Sequence, residues 1–288
     1  MNLEVIILAA GQGTRMKSPL PKVLHPVAGR PMLQHVVETA RALQAKAIHV
    51  VVGHGAEQVR VALDDSALTW VTQEQQLGTG HAVLQAMPAV QPDSTVLILY
   101  GDVPLISAAT LERLVAVAVS APALLTARVA KPAGYGRILR DEAGALVGVV
   151  EHKDASDSQL LIDEINSGVL AAPASDLQQY LPAIKNENSQ GEYYLPDVLA
   201  MAVADGKAVA SCMAESELEI QGVNDRVQLN QVEREFQRLQ AEQLMRAGVS
   251  LADGSRLDVR GVLHCGVDVS IDVNVVLEGV VTLGDGVS

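Results

Sequence analysis

What the chain has little of already narrows its chemistry. It holds only two cysteines in 288 residues, Cys212 and Cys265. They lie far apart and form no CxxC, which excludes a disulfide framework and a cysteine-based zinc site and points to a reducing, cytoplasmic setting. Positive charge is scarce: 21 Lys and Arg stand against 34 Asp and Glu, a formal net charge of −13. That balance argues against general nucleic-acid binding, but not against a small anion held in a local basic pocket. No apolar run approaches the ~20 residues that span a bilayer, so no membrane crossing is expected. The start, MNLEVIILAAG, lacks a basic n-region and a small-residue cleavage site, so no signal peptide is expected. The seven histidines, His25, His35, His49, His54, His81, His152 and His264, form no i,i+4 pair and no H-E-x-x-H. No serine sits in G-x-S-x-G, and nothing argues for a hydrolase nucleophile.

Apolar residues make up 49% of the chain and charged residues 19%, enough for a buried core. At roughly 150 residues per domain the length allows about two domains. Residues 3–8 (LEVIIL) form a short, β-branched apolar run, which predicts a buried parallel strand. Met32, Leu33, Val36, Val37, Ala40 and Leu43 recur at helical steps after Pro31. Further strands are expected at 47–52, 69–72, 95–100 and 123–130, and helices at 56–63 and 78–86. Strands alternating with helices predict a doubly wound α/β sheet. Such sheets bind ligands at the carboxyl ends of their strands, which selects the loops after Leu8, Val71 and Tyr100.

A hairpin is expected within 136–151, turning at Asp141–Gly144. Residues 224–246 predict one long polar helix with Val232, Phe236 and Leu239 on a stripe, closed by Gly248. Beyond it the pattern changes. Leu257, Leu263, Val269, Val275, Val281 and Val287 lie six apart, as do Val259, Cys265, Ile271, Leu277 and Leu283. A six-residue period on two phases marks a parallel β-helix rather than a hairpin domain. The array stops in mid-pattern at Ser288, which suggests a longer parent protein.

Three places could carry chemistry. The first loop, Leu8 to Met16, fails the dinucleotide fingerprint because Met16 stands where a glycine is required, and Lys17 follows no Walker glycine. It remains a glycine-bearing loop followed by Arg15, Lys17 and Lys22, open to reading as a phosphate cradle or as plain surface. Asp102, just past a buried strand, could bind Mg²⁺ together with substrate phosphates or could close a turn on its own backbone. Asn224 could cap the long helix or face Asp102 as a ligand.

The segment LAAGQGTRMKSPLPKVLHPVAGRPML resembles the signature of sugar-nucleotide pyrophosphorylases. QLGTGHAV, YGDVPL, GYGRI, VVEHKDA, EINSGV and GVNDR follow in order, and a hexapeptide tail closes the chain. The set is similar to the bacterial family of bifunctional N-acetylglucosamine-1-phosphate uridyltransferases/glucosamine-1-phosphate acetyltransferases. The resemblance implies a nucleotidyltransferase domain over 1–223, a connecting helix over 224–250 and the first rungs of a left-handed β-helix over 251–288. It implies transfer of uridylyl from UTP to N-acetylglucosamine-1-phosphate, giving UDP-N-acetylglucosamine and pyrophosphate, with Mg²⁺ as cofactor.

The same resemblance implies roles for individual residues. Leu8, Ala9, Ala10 and Gly11, with Gln73, Gly78 and Thr79, would hold the uracil side. Arg15 and Lys22 would neutralise the phosphates. Asp102 and Asn224 would bind the metal. Gly136, Glu151 and Asn166 would hold the amino sugar, with Tyr100 and Thr79 nearby, and Gly101 would belong to the same substrate-binding set. It further implies a homotrimeric full-length parent and acetyl-transfer residues beyond Ser288. The alternatives are a pyrophosphorylase for another sugar phosphate or nucleotide, and a non-catalytic regulatory subunit of the same fold.

Overall fold

The first strand, β1 (Leu3–Ala9), alternates two apolar faces. Val5, Ile7 and Ala9 join one buried cluster and Ile6 and Leu8 the other. Both faces are covered, so an uninterrupted apolar run can form an interior strand. The computed structural model describes residues 2–288.

A short β2–β3 hairpin (Pro26–Val27 and Arg30–Pro31) leads into α1 (Met32–Ala42). Then come β4 (Ala47–Val52), α2 (Ala56–Leu63), β5 (Leu68–Thr72), α3 (Thr79–Ala86) and β6 (Thr95–Tyr100). After α4 (Ala108–Val117) follow β7 (Ala123–Arg128), the β8–β9 hairpin (Arg137–Arg140 and Leu146–Val150), the single turn α5 (Asp157–Leu160) and β10 (Glu164–Pro173). Next are α6 (Ala174–Tyr180), α7 (Asp197–Ala204) and β11 (Ala210–Met213). The long helix α8 (Arg226–Arg246) leads to β12 (Ser250–Leu251), β13 (Leu257–Cys265), β14 (Ser270–Ile271) and β15 (Val275–Leu283).

The main sheet has nine strands, and its path runs β11-β7-β10-β6-β1-β4-β5. β1 pairs in parallel with β4 on one side and β6 on the other. The chain moves outward from β1 to β4 and β5, then returns to place β6 on the opposite side. That reversal opens a crevice at the carboxyl ends of β1 and β6. The expected alternation is therefore present, with one addition. β10 inserts antiparallel between β6 and β7, so the sheet is mixed.

The predicted strand 123–130 ends two residues early, at Arg128. The long helix begins at Arg226, because the Asp225 carboxylate accepts from the amides of Val227 and Gln228 and caps it. Its stripe also differs. Leu239 is exposed, and the buried positions are Val232, Gln237 and Ala241. The reason is that α8 lies against β13, where a glutamine amide meets an open strand backbone. Gly248, with φ 99°, follows the helix as expected.

At the carboxyl end β13 and β15 pair in parallel, Leu257 against Val275 through Cys265 against Leu283, a step of three hexapeptides. Leu257, Val259, Val269 and Ile271 are buried together, with Leu263, Cys265, Val275, Leu277 and Leu283 against them. Both six-residue phases thus point inward up to the last rung, where Val287 is exposed.

Candidate active site

β1 and β6 deliver two loops to the crevice. The backbone turns sharply after Gly11: Gly13 has φ 63°, and a Cβ there would lie 2.7 Å from Lys22 Cβ. Only glycine allows both the left-handed turn and this approach. A 3-10 turn at Thr14–Met16 follows, anchored by Met16. Met16 is buried with Val27, Met32, Val223 and Val232. This apolar anchor fixes an otherwise exposed loop to the start of α1, the stretch before α8 and the second turn of α8. It also leaves the neighbouring Arg15 free to point along the crevice rim.

Four polar side chains meet there. Lys22 forms an ion pair with Asp102, both largely buried. The same ammonium lies 3.3 Å from Asn224 Oδ1, which also accepts from Arg15 Nη2 at 2.9 Å. Two oxygens from distant parts of the chain, one anionic and one neutral, thus converge on a single cation. Asn224 is held close to Asp102 through the adjacent backbone, since the Val223 amide donates to the Asp102 carbonyl at 2.9 Å. Asp102 contacts Lys22 rather than closing a turn on its own backbone.

Beside this junction lies a cleft of about 210 Å³ lined by Leu8, Ala9, Ala10, Gly11, Lys22, Gln73, Gly78, Thr79, Tyr100 and Asp102, among others. A Cβ built on Gly11 meets nothing within 4 Å, so backbone is open to a ligand there. Gln73 is buried, and its Nε2 donates to the Gly78 carbonyl at 3.2 Å. The amide of Gly80 donates to the Tyr193 carbonyl, and that of Tyr193 to the Leu77 carbonyl, both at 2.8 Å. This clamp fixes the turn before α3.

Tyr100 packs its ring on Gly168, where φ is 86° and a Cβ would lie 2.7 Å from the ring. Gly168 sits in the register shift of β10 between Asn166 and Leu170. Burial, with the charges of Asp102 and Glu151, holds the Tyr100 phenol well above its ordinary pKa, so it stays a neutral hydroxyl.

These geometries can be set beside known proteins. The model of the MobA-like NTP transferase domain matches residues 5–162, more than half of the chain. The chain belongs to this family. Among solved structures, a nucleotidyl transferase from Methanothermobacter thermautotroptrophicus superposes with a TM-score of 0.59 at 24% identity, covering 82% of this chain and 98% of that one. A Bacillus anthracis structure described as a glucose-1-phosphate thymidylyltransferase gives 0.63 at 18% identity, covering 80% and 94%. Both likenesses show the fold.

Curated relatives share more sequence. Bifunctional protein GlmU of Marinobacter nauticus is 56% identical over 99% of this chain and 63% of its own length. The protein of the same name from Pseudomonas aeruginosa is 58% identical over 95% of this chain and 60% of its own. The chain therefore spans somewhat less than two thirds of the length of these relatives.

Within this NTP transferase fold the expected residues fall into two groups. Leu8 to Gly11, Lys22, Gln73, Gly78, Thr79, Tyr100 and Asp102 share the cleft, Asn224 joins it through Lys22, and Arg15 joins through Asn224. Gly101 lies beneath, its amide donating to the Leu8 carbonyl at 2.9 Å.

The residues expected to hold the sugar, Gly136, Glu151 and Asn166, gather beyond Tyr100. The Asn166 amide donates to the Gly136 carbonyl at 2.9 Å, and a Cβ on Gly136 would lie 3.1 Å from Glu151 Oε1. Glu151 also lines a second cavity of about 400 Å³ with Asp154, Lys185, Tyr194 and Asp197. Burial, then Asp154, Asp197 and Glu192, pushes the Glu151 carboxyl up.

Sequence reasoning missed Glu192 on the cleft wall. No spacing rule marks Glu192, because it reaches the cleft wall only through tertiary packing. Arg226 lies outside the cleft and braces its first loop, its Nε donating to the Met16 carbonyl at 3.3 Å.

Proposed function

We propose that this chain transfers uridylyl from UTP to N-acetylglucosamine-1-phosphate, giving UDP-N-acetylglucosamine and pyrophosphate. The observation that carries the reading is the meeting of Arg15, Lys22, Asp102 and Asn224 beside an open glycine-lined cleft. Phosphoryl-type transfer asks mainly for positioning and charge neutralisation. The sugar phosphate brings an ionised oxygen that attacks the α-phosphorus, so no general base is required. The bond from that phosphorus to the pyrophosphate oxygen breaks as the new one forms. Arg15 and Lys22 neutralise the charge that grows on the leaving group.

The donor set suits Mg²⁺. Asp102 and Asn224 supply hard oxygens that already converge on one cation, the Lys22 ammonium. Among the described residues no group of three or more His, Cys, Asp or Glu side chains could hold a metal alone. One carboxylate and one amide oxygen, completed by substrate phosphates, fits how this ion is held. When bound, it would supply charge neutralisation at the phosphates. Lys22, released from Asp102, would then turn to the phosphate oxygens.

On the sugar side, Gly136, Glu151 and Asn166 would hold the N-acetylglucosamine, with the Tyr100 hydroxyl as a neutral donor. Residues 1–223 are assigned to the nucleotidyltransferase domain, 224–250 to a connecting helix whose first residue, Asn224, completes the site, and 251–288 to the start of a left-handed β-helix. Through that β-helix the longer parent would trimerise, and the two unpaired cysteines fit a cytoplasmic setting.

The test is pyrophosphate release from nucleoside triphosphates and Mg²⁺ with a panel of sugar-1-phosphates. The reading expects UTP with N-acetylglucosamine-1-phosphate to lead the panel. Preference for another pair would move the chain to a sister specificity, and silence across the panel would favour a regulatory subunit.

A further inference from the structure

Asn224 joins both cations of the site, yet its own side chain does not explain how it stays there. It belongs to the short stretch between Ile220 and α8. Val223 anchors the stretch: its side chain is buried with Met16, Val27, Met32 and Val232, and its amide donates to the carbonyl of Asp102, just past β6. The cap of α8 is made by Asp225, not by Asn224. What remains is one strong contact: the Asn224 amide donates to Gln228 Oε1 at 2.7 Å.

Gln228 is the third residue of α8. From that position a capping-box side chain reaches back to the backbone N–H of the cap residue. Here Gln228 reaches one residue further, past Asp225, and takes the amide of the residue that faces the cleft. Its own backbone amide is held by the Asp225 carboxylate at 2.9 Å. Helix start, cap and Asn224 thus form one closed loop of hydrogen bonds. The far side of that loop is Asn224 Oδ1, which accepts from Arg15 at 2.9 Å.

We propose that Gln228 is a positioning residue for the transfer reaction. By accepting the Asn224 amide it fixes the backbone of Asn224 and so holds Oδ1 where Arg15 and Lys22 meet beside Asp102. Its catalytic consequence rests on the uridylyl-transfer reading, whereas the placement itself does not.

Two variants test it. Gln228→Leu removes the acceptor but keeps a good helix former of similar size. Gln228→Glu keeps an oxygen at the same place. Crystal structures of both, beside the unaltered chain, should show Asn224 Oδ1 withdrawn from Arg15 Nη2 in the leucine variant and in contact in the glutamate variant. Turnover should fall about tenfold in Gln228→Leu, equivalent to about 1.4 kcal/mol, with the Michaelis constant for the sugar phosphate within about twofold. Gln228→Glu should recover most of the loss. In an Asn224→Ala background, Gln228→Leu should cost nothing further, because the two act as one unit.

An intact Arg15–Asn224 contact in the leucine variant would overturn the proposal. So would a lost contact with unchanged turnover. If the unaltered chain released no pyrophosphate, the uridylyl-transfer reading would fall, and the crystallographic contact would still decide the placement.

Discussion

Gln237 stands in for a β-strand neighbour of Val259. Its Nε2 donates to the Val259 carbonyl at 2.9 Å, and its Oε1 accepts from the Val259 amide at 2.8 Å. The same Nε2 lies 3.0 Å from Glu233 Oε1, and Glu233 Oε2 accepts from the Ala28 amide at 2.7 Å. A single polar chain therefore runs from the β2–β3 hairpin through α8 to β13. Leucine at 237 fills the space but leaves a buried backbone donor and acceptor unpaired, at about 1–3 kcal/mol each. Gln237→Leu should lower stability in urea melts by about 2–4 kcal/mol. A loss under about 0.5 kcal/mol, the range of ordinary surface substitutions, would show that α8 holds the terminal strands by other means.

Arg137 is buried to 1% exposure, and its Nε has no hydrogen-bond partner. Its Nη1 donates to the Tyr135 carbonyl, and no ion pair to it is found among the described residues. A buried unpaired charge is costly, and an apolar replacement of similar shape can be neutral or stabilising. Arg137→Met should therefore melt no lower than the unaltered chain. It should also raise the Michaelis constant for the sugar phosphate, because the 132–136 loop that carries Gly136 loses its tie. Calorimetry and steady-state kinetics check the two halves separately, and a clearly lower melting temperature would refute the first.

Glu151 sets a pH dependence of known sign. Its folded pKa lies above the ordinary value of 4.5 because of burial and neighbouring carboxylates. The folded state then holds the proton more tightly than the unfolded state. This contribution to stability is complete below 4.5 and is lost as pH rises through the folded value. Gln cannot ionise, so Glu151→Gln should melt higher than the unaltered chain near neutral pH. The advantage should vanish as pH falls below the ordinary carboxylate range. Melting curves across that range test it, and a gap that widens on acidification would reverse the sign.

Much of this arrangement was legible before any coordinates. β1, β4 and α2 follow from apolar runs and helical spacing, and the carboxyl-end rule alone selects the loops that carry Gly11 and Asp102. The antiparallel strand β10 was not legible. Its residues EINSGVLAAP are broken by the register shift at Asn166–Leu170, so no clean strand period survives. The buried Gln237 reads as a solvated helix residue, since only the facing strand gives its amide a purpose. Asn224 and Asp225 are adjacent possible caps, and their division of labour depends on Gln228 and on the fold that brings Lys22 alongside.

Arg15 should matter most as the leaving group departs. Its guanidinium donates to Asn224 Oδ1 beside the cleft, and the pyrophosphate gains charge as the P–O bond breaks. Arg15→Ala should reduce turnover more than it raises the Michaelis constant for N-acetylglucosamine-1-phosphate. Steady-state kinetics decide this, and a rise in the Michaelis constant with unchanged turnover would contradict the role.

The most direct test of the account is pyrophosphate release from UTP, Mg²⁺ and N-acetylglucosamine-1-phosphate, with Asp102→Ala measured beside the unaltered chain. Asp102 supplies the one carboxylate at the cation junction, so its loss should remove several kcal/mol of transition-state stabilisation. The account predicts robust release by the unaltered chain and near-abolition in the variant, which should still fold at the assay temperature but melt lower, because the largely buried Lys22 loses its ion-pair partner. Near-wild-type release by Asp102→Ala would contradict it.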